Sequence, residues 1–466
     1  MYKTVTIEVD QYSLVEYSKN LSILSNNLYN RINYIKRQLF TGLNKDIKTP
    51  NEQEVIDLVN KYLKKWNKNK KAAYKKKHCN KKGFKPLVFD KDNRLIDYYY
   101  LDYILKESND VDYRSLPIHT AQRVIKQVCE AWDSYFKSLK EYKNNPSKFI
   151  GRPKLPKYHK KGGYNIVRIS NISSKIENGN LKLPGTKDVL NISDIYKDLK
   201  FVKLEIKIDL KVKLYITFEE NKDIINLNDN NRYLGIDLGV DNFATLTNNI
   251  GLNPILIKGK DLKSYNQYIN KRIAYLTSIL KTVNKKYTSN QIKRLWDKRY
   301  KYFYNVFHRL NNNIIKYLKE NDINTVIIGK NDNWKQEVNI NKSNNQNFCY
   351  IPYNMFINNL KYKCELNGIN CIVREESYTS KASFLDKDDI PVYNKNKEIS
   401  YNFSGKRINR GLYKTKEGIL INADINGSCN IIKKEFKDAF KTIDTKYLLN
   451  PKTINVNQML PCASMA

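Results

Sequence analysis

Apolar and polar residues alternate singly from Lys3 to Val9, the period of a strand with one buried face. The period then lengthens. From Ser13 to Phe40, Leu14, Leu21, Leu24, Leu28 and Ile32 recur at steps of three, four or seven residues, which predicts a helix with its asparagine-rich positions on the other face. A second helical stretch, Ile118 to Lys140, sets Val124, Val128, Trp132 and Phe136 on one stripe and stops at Asn144-Asn-Pro146. Single alternation returns at Asn165 to Ile169, Lys200 to Ile208 and Lys211 to Phe218, predicting an antiparallel β unit. Strand Lys3 to Val9 has no neighbour near it in sequence, so it is expected to join this later sheet, with the helices inserted between.

A different order begins at Tyr233. Strands are predicted to Leu238, from Phe243 to Thr247 and from Pro254 to Ile257, then helices from about Leu262 to Thr282 and Ser289 to Glu320. A buried strand at Thr325 to Ile328, a helix from Tyr353 to Asn367, a strand from Ile369 to Arg374 and a helix opened by Asn422 complete the series. Three meandering strands followed by helix, strand, helix, strand, helix is the order of an RNase H-like fold. Such a fold gathers acids at the ends of its first and fourth strands and on its last helix.

Two acids stand in those places. Asp237 ends the run Tyr233-Leu-Gly-Ile-Asp-Leu-Gly239, where Leu234, Ile236 and Leu238 pack, and Gly235 and Gly239 are expected to leave room for a phosphate backbone. Asp424 comes from Asn422-Ala-Asp-Ile-Asn426 at a helix start. Magnesium prefers carboxylate oxygens, and acids converging from separate elements can hold two Mg²⁺ ions about 4 Å apart for phosphodiester attack. Asp241 reads as a solvated turn acid, and the four histidines show no ligand spacing; His308 suits either a nucleic-acid duplex contact or core packing. GxxxxGK[ST], G-x-S-x-G and HExxH patterns are all absent, which removes the commonest rival chemistries.

Charge narrows the partner. With 83 Lys+Arg against 47 Asp+Glu in 466 residues, the formal charge is +36, which attracts polyanions. Between Lys61 and Lys85, Lys64, Lys65, Trp66, Lys70, Lys71, Tyr74, Lys75 and Lys76 interleave rings with charge, suiting phosphate contact and base stacking as well as a solvated helix face. In Gly151-Arg-Pro-Lys-Leu-Pro-Lys-Tyr-His-Lys160 two prolines keep the chain extended, so Arg152, Lys154, Lys157, Tyr158 and Lys160 are candidates for backbone contact, joined by Arg294, Arg299, Arg309 and Lys381. No apolar run of about 18 residues exists and the start lacks a signal-peptide pattern, so a cytoplasmic protein with no membrane partner is expected, nucleoid-associated when bound to DNA. Seven scattered cysteines argue against a disulfide framework and a zinc ribbon alike.

These residues resemble the TnpB family, RNA-guided endonucleases of insertion sequences related to type V CRISPR effectors. The resemblance rests on Gly235-Ile-Asp-Leu-Gly239, Ile351-Pro-Tyr-Asn-Met-Phe356 with Leu360-Lys-Tyr-Lys363, Glu375-Glu-Ser-Tyr-Thr-Ser-Lys-Ala-Ser-Phe-Leu-Asp386, Asn422-Ala-Asp-Ile-Asn-Gly427 and Gly151-Arg-Pro-Lys-Leu-Pro-Lys-Tyr158. It implies an α+β multidomain fold, in which an RNase H-like (RuvC) nuclease domain accompanies a wedge β-barrel-like domain with an inserted helical recognition lobe. The boundaries expected are 1–12 and 146–228 for the wedge, 13–145 for the lobe, 229–376 for the nuclease domain with a helical insertion at about 261–320, 377–421 for a degenerate zinc-ribbon-like hairpin, 422–445 for the last helix and 446–466 for a mobile tail. The implied partners are a guide RNA from the element end, double-stranded target DNA and an element-encoded transposase.

Two departures qualify the implied chemistry. Most members place a glutamate just after the fourth strand, but Val326-Ile-Ile-Gly-Lys-Asn331 carries no acid, and the nearest are Asp332 and Glu337. The neighbouring strand ends in Glu375-Glu376 at the same rim, and a family subgroup with the Gly-Lys-Asn triplet is similar in using a displaced acid. Strand alternation lets only one of Glu375 and Glu376 face the metals, and the sequence does not say which. The zinc-binding cysteine pairs are replaced by Ser383-Phe-Leu-Asp386 and Lys414-Thr-Lys-Glu417, so no structural zinc is expected, with Phe403, Leu412 and Tyr413 supplying packing instead. The expected function is Mg²⁺-dependent, RNA-guided DNA cleavage beside a short flanking motif by Asp237, one of Glu375 and Glu376, and Asp424. The missing strand-four acid motivates an alternative, a nuclease-inactive guide-directed DNA binder acting as a repressor; a DNA-joining transposase is a third reading.

Overall fold

A computed structural model of the protein describes residues 2–77, 83–192, 196, 199–220, 227–330, 351–392, 401–458 and 460. Contacts divide the chain into two units, Met1–Lys222 and Asp223–Ala466. The first begins with β1 (Tyr2–Val9) and continues into helices α1 (Tyr12–Gly42), α2 (Pro50–Lys77), α3 (Tyr98–Glu107), α4 (Val111–Arg114) and α5 (Ile118–Asn144). Strands β2 (Val167–Ser170), β3 (Lys175–Glu177), β4 (Asn180–Lys182), β5 (Val189–Asn191), β6 (Lys200–Ile208) and β7 (Val212–Glu219) follow. β1 runs antiparallel to β7 from Tyr2 opposite Glu219 to Val9 opposite Val212, in a sheet ordered β1-β7-β6-β2. The separate sheet β3-β4-β5 had no signal in the alternation, because strands of three residues are too short to display a period.

Helix α1 corrects one expectation. Its asparagines do not fill a solvent face: Asn26 and Asn33 are buried, and Asn33 Oδ1 accepts from Trp132 Nε1 of α5 at 3.0 Å. Lys36 is buried beside them, its ammonium donating to Ile96 O at 2.6 Å, and burial lowers its pKa. A residue-type pattern cannot distinguish a solvated amide from one that satisfies a neighbouring segment's backbone.

The second unit contains β8 (Tyr233–Leu238), β9 (Asn242–Asn248), β10 (Ile255–Lys258), α6 (Lys260–Asn284), α7 (Asn290–Glu320), β11 (Thr325–Gly329), α8 (Tyr353–Leu366), β12 (Asn370–Arg374), β13 (Lys406–Asn409), β14 (Leu412–Lys414), β15 (Leu420–Asn422), α9 (Ala423–Glu435) and β16 (Lys452–Asn455). Its main sheet is ordered β12-β11-β8-β9-β10-β16, with β8, β11 and β12 parallel and β8, β9 and β10 antiparallel. That is an RNase H-like sheet with one strand added. Alternation sorts its faces. Leu234, Ile236, Val326 and Ile328 pack with Phe303 and Phe307 of α7 and Phe356 of α8, whereas Tyr233 and Ile327 pack with Ile431 and Ile432 of α9.

The chain end differs from the expected mobile tail. β16 pairs in parallel with β10, and Val456 and Leu460 are buried in the main core; residues 461–466 lie outside the described residues. A four-residue edge strand carries too few alternations to be seen in sequence. The last helix stops at Glu435 rather than 445, because Phe436 leaves helical geometry to stack on Tyr233 at 4.0 Å.

α2 starts with a reciprocal cap. Thr49 N donates to Glu52 Oε2 (2.9 Å) and Glu52 N to Thr49 Oγ1 (3.3 Å), while Glu52 Oε1 accepts from Lys45 (2.8 Å) and Thr41 (2.8 Å). The Lys45 bond, followed by the Thr49 amide, holds the Glu52 carboxyl down at about 2. A depressed carboxyl stabilises the fold above its unfolded-state range and stops doing so as pH falls toward the folded value. We expect Glu52→Gln to lower stability at pH 7 by about 1 kcal/mol and to flatten the loss between pH 5 and roughly pH 2, measured by urea denaturation at each pH.

Candidate active site

Strand parity puts Asp237 on the sheet face that receives α9, two residues on from Gly235. A Cβ at Gly235 would lie 2.7 Å from Ser428 O, so the glycine is there for helix packing. The expectation that Gly235 and Gly239 make room for a phosphate is therefore corrected: Gly239 closes a tight turn, its Cβ position 2.7 Å from Asn242 O. Asp424 is delivered by the first turn of α9, whose N-cap Asn422 accepts from Asp424 N (2.9 Å) and Ile425 N (3.3 Å). Asn242 Nδ2 donates to Asp424 Oδ2 at 2.7 Å, and Lys258 steadies that asparagine at 2.9 Å.

Glu375 and Glu376 diverge. Glu375 Oε2 accepts from Lys434 Nζ (2.5 Å) and its Oε1 from Ser377 N (2.7 Å). Burial alone would raise its pKa, but those bonds prevail and hold it low. Glu376 continues the face of Ile372 and Arg374, the face on which Arg374 meets Glu435 of α9 at 3.1 Å. Burial, then the charges of Asp237 and Glu375, push Glu376 up to about 8. Asp237, which keeps a little accessible surface though protein surrounds its carboxylate, rises to about 7 through burial and the charge of Asp424. The carboxylate of Glu376 reaches the end of β11: a Cβ at Gly329 would lie 2.7 Å from Glu376 Oε2. A Cβ at Gly427 would lie 2.9 Å from Asp237 Oδ2. Asp332 and Glu337 lie outside the described residues.

Among the described residues, no three acid, histidine or cysteine side chains already form a cage around one point. The donor set nonetheless fits magnesium. Carboxylates are its preferred ligands, two of these resist ionisation because of burial and neighbouring negative charge, and both occupy cradles that a single methyl group at position 329 or 427 would fill.

Sequence reasoning missed Arg407. Its guanidinium approaches Asp424 Oδ1 at 3.5 Å, and its positive charge opposes the rise of Asp237. Arg410 pairs with Asp241 at 3.2 Å, as does Lys263 at 3.2 Å, so that acid is ion-paired rather than merely solvated. Both arginines lie on the β13–β14 hairpin, where no motif marks them. The hairpin's base is tied by carboxylates: Asp386 Oδ2 accepts from Ser383 Oγ (2.6 Å) and Lys416 N (2.9 Å), and Asp388 from Ser383 N (2.8 Å), Ser404 N (3.0 Å) and Ser404 Oγ (2.5 Å). Tyr413 is buried and bonds Lys381 O at 2.8 Å, Phe403 approaches Tyr378 at 6.3 Å, and Leu412 is half-buried.

The basic candidates fall into two kinds. Lys64, Lys65, Lys70, Lys71, Lys75 and Lys76 are exposed on α2, as are Arg152, Lys154, Lys157, Tyr158 and Lys160 after α5, and Arg294, Arg309 and Lys381 in the second unit. Trp66 and Tyr74 instead pack internally, Trp66 against Tyr100 and Tyr103 at 5.3 and 5.0 Å and Tyr74 near Phe84 at 6.0 Å. Arg299 ties α7 to Asn266 of α6 at 2.8 Å, and His308 packs between Tyr304 and Asn359. No helix among the described residues is long and apolar enough to cross a membrane.

Residues 216–335 match the OrfB_IS605 family, described as a probable transposase, and residues 353–431 match the Cas12f1-like TNB domain. The chain is similar to the TnpB-like protein ORF457 of Acidianus two-tailed virus, 24% identical over 349 residues, covering 67% of this chain and 72% of that protein. Among solved structures it is similar to a Cas12f1–sgRNA–target DNA complex (16% identity, TM-score 0.31, 94% of this chain and 100% of that one) and a CRISPR-Cas12f ternary complex (16%, 0.31, 86% and 81%).

Raised carboxyl pKa values set the sign of a pH effect. Asp237 and Glu376 favour the folded metal-free protein in acid, and that contribution is lost as pH rises from the ordinary carboxylate range to about 8. We expect the melting temperature of metal-free protein to fall between pH 5 and pH 8 from this source, Asp237→Asn or Glu376→Gln to flatten the fall, and Mg²⁺ to raise the midpoint most at the alkaline end. We also expect Asp388→Ala to cost about 1–3 kcal/mol, because three donors lose their acceptor, while a zinc chelator leaves the melting curve unchanged.

Proposed function

Because the chain belongs to the TnpB family, RNA-guided nucleases of transposable elements, we propose that it cleaves guide-matched double-stranded DNA beside a short flanking motif, with Asp237, Glu376 and Asp424 as its metal-holding acids. The observation that carries this reading is the place of Glu376. The family's strand-four glutamate is missing, and the carboxylate of Glu376 lies against the backbone of Gly329 where that side chain would begin. The missing acid is the motive for an inactive DNA binder, and the position of the Glu376 carboxylate favours the cleaving reading over it.

Bound by these carboxylates, two Mg²⁺ ions would supply an activated water and neutralise charge on the leaving oxygen. The chain's own residues do the rest. Asn242 fixes the rotamer of Asp424, Lys434 draws Glu375 out of the cluster, and Arg407 offers a planar cation beside Asp424 to orient the scissile phosphate. Guide pairing selects the sequence, and the exposed lysines and arginines hold the backbones of RNA and DNA without reading them. An element-encoded transposase is a further partner under this reading.

Protein purified with its own RNA and incubated with matched DNA and Mg²⁺ tests the proposal. We expect Asp237→Ala, Glu376→Gln and Asp424→Ala each to slow cleavage at least about a thousandfold, equivalent to about 4 kcal/mol, with RNA binding intact. Glu375→Gln should stay within about tenfold of the parent. Loss in Glu375→Gln with full activity in Glu376→Gln would reverse the assignment of the two glutamates. DNA shifted but never nicked by the parent would establish the guide-directed binder instead, and joined element ends a transposase.

A further inference from the structure

The segment after α5 crosses α1 in an extended path, and α1 grips its backbone. Asn26 Nδ2 donates to Lys160 O (2.9 Å), Asn30 Nδ2 to His159 O (3.0 Å), Asn33 Nδ2 to Pro156 O (3.1 Å) and Arg37 Nη1 to that same carbonyl (2.8 Å). His159 N donates back to Asn30 Oδ1 at 2.7 Å. The four helical residues recur at steps of four, three and four, so they form one ladder on one face.

Gripping the backbone leaves the side chains free to point elsewhere. Lys154, Lys157 and Lys160 are exposed while Pro156 and His159 are partly covered, a repeat of three that matches polyproline II and spaces successive lysines roughly 9 Å apart. Beside this row lies a groove of about 490 Å³, a size that suits one nucleotide, lined by Tyr135, Ser134 and Ser138 of α5 and by Lys154 and Lys157. Tyr29 and His159, stacked at 3.8 Å, complete it, and no carboxylate is among its lining residues. Cations on one wall with a ring and hydroxyls on the other is the chemistry that holds a polynucleotide by phosphate and base.

We propose that this groove receives one nucleotide of a bound polynucleotide strand, its phosphates on Lys154 and Lys157 and its base against Tyr135, and that Asn30 and Asn33 are positioning residues for that contact. The inference rests on the polynucleotide-binding part of the proposed function and on none of its catalytic residues. The asparagines carry no charge and act by fixing where the lysines stand.

Full-length protein freed of co-purified RNA is titrated with a fluorescent single-stranded oligoribonucleotide, and with DNA of the same sequence, from 50 to 200 mM salt. Lys154→Ala with Lys157→Ala should reduce the slope of log affinity against log salt by about 1.4, two phosphate contacts at roughly 0.7 each. Tyr135→Ala should weaken binding about tenfold at unchanged slope. Asn30→Ala should make the slope shallower although no charge is removed and the protein is still folded at the assay temperature, an outcome that a merely structural asparagine would not produce. Losses on both probes mean that the groove takes phosphate and base, and a larger loss on RNA adds the serine hydroxyls as readers of the 2′-OH; both support the assignment. Lysine and tyrosine variants that bind like the parent, while Lys70→Ala with Lys71→Ala loses affinity, overturn it. A parent that binds neither probe overturns the polynucleotide reading itself.

Discussion

The second unit is organised by how closely its last helix approaches the sheet. At Gly235 the backbone of α9 lies where a side chain would be, so β8 and the helix meet without an intervening layer. That contact brings Asp424, in the helix's first turn, to the rim where β8 presents Asp237, and it places Gly427 against the Asp237 carboxylate. Bulk added at any of these glycines would separate acids that otherwise face each other across two elements. The same economy operates at Gly329, where the end of β11 keeps only a hydrogen and leaves space for Glu376.

Gathering these carboxylates has an electrostatic cost that the protein meets only in part. Asp237 and Glu376 sit where burial and like charge disfavour ionisation, and the nearby cations answer unevenly: Lys434 is committed to Glu375, whereas Arg407 approaches Asp424 at 3.5 Å. Arg407 reaches this position from a hairpin whose base is held by carboxylate hydrogen bonds. Asp386 and Asp388 tie the base of the hairpin through hydroxyls and main-chain amides. Hydrogen bonds to a carboxylate are directional, so they fix the hairpin's base through several donors at once.

The strand order, and the arrival of Asp237 and Asp424 from opposite ends of the second unit, were legible because long apolar runs of fixed period and an N-capping asparagine each have a local physical cause. The choice between Glu375 and Glu376 was not legible. Parity within β12 is clear, but which face of that strand meets α9 depends on Ile327 and Ile431 packing far away in sequence. The asparagines of α1 were misread for the same reason, since their partners are carbonyls more than a hundred residues distant. Arg407 and the strand Lys452–Asn455 escaped notice because neither has a local pattern. Local signals report elements; partners chosen across the fold leave little trace in either participant.

Two electrostatic scales therefore operate in one chain, and they pull in opposite directions. The excess of 36 positive charges acts over roughly a Debye length, about 8–10 Å at physiological salt, and gathers a polyanion onto exposed lysines and arginines. The carboxylate cluster acts at contact distance and repels that same polyanion at the point where it must be held most closely. Arg407 cannot reconcile them alone, because one monovalent guanidinium stands beside a cluster in which burial and like charge disfavour ionisation of Asp237 and Glu376. A divalent cation can, since it favours the ionised carboxylates on one side and neutralises a phosphate on the other. Under the proposed function the acids would match their surroundings only with metal and backbone bound together, which would tie the chemistry to the bound strand rather than to the free protein.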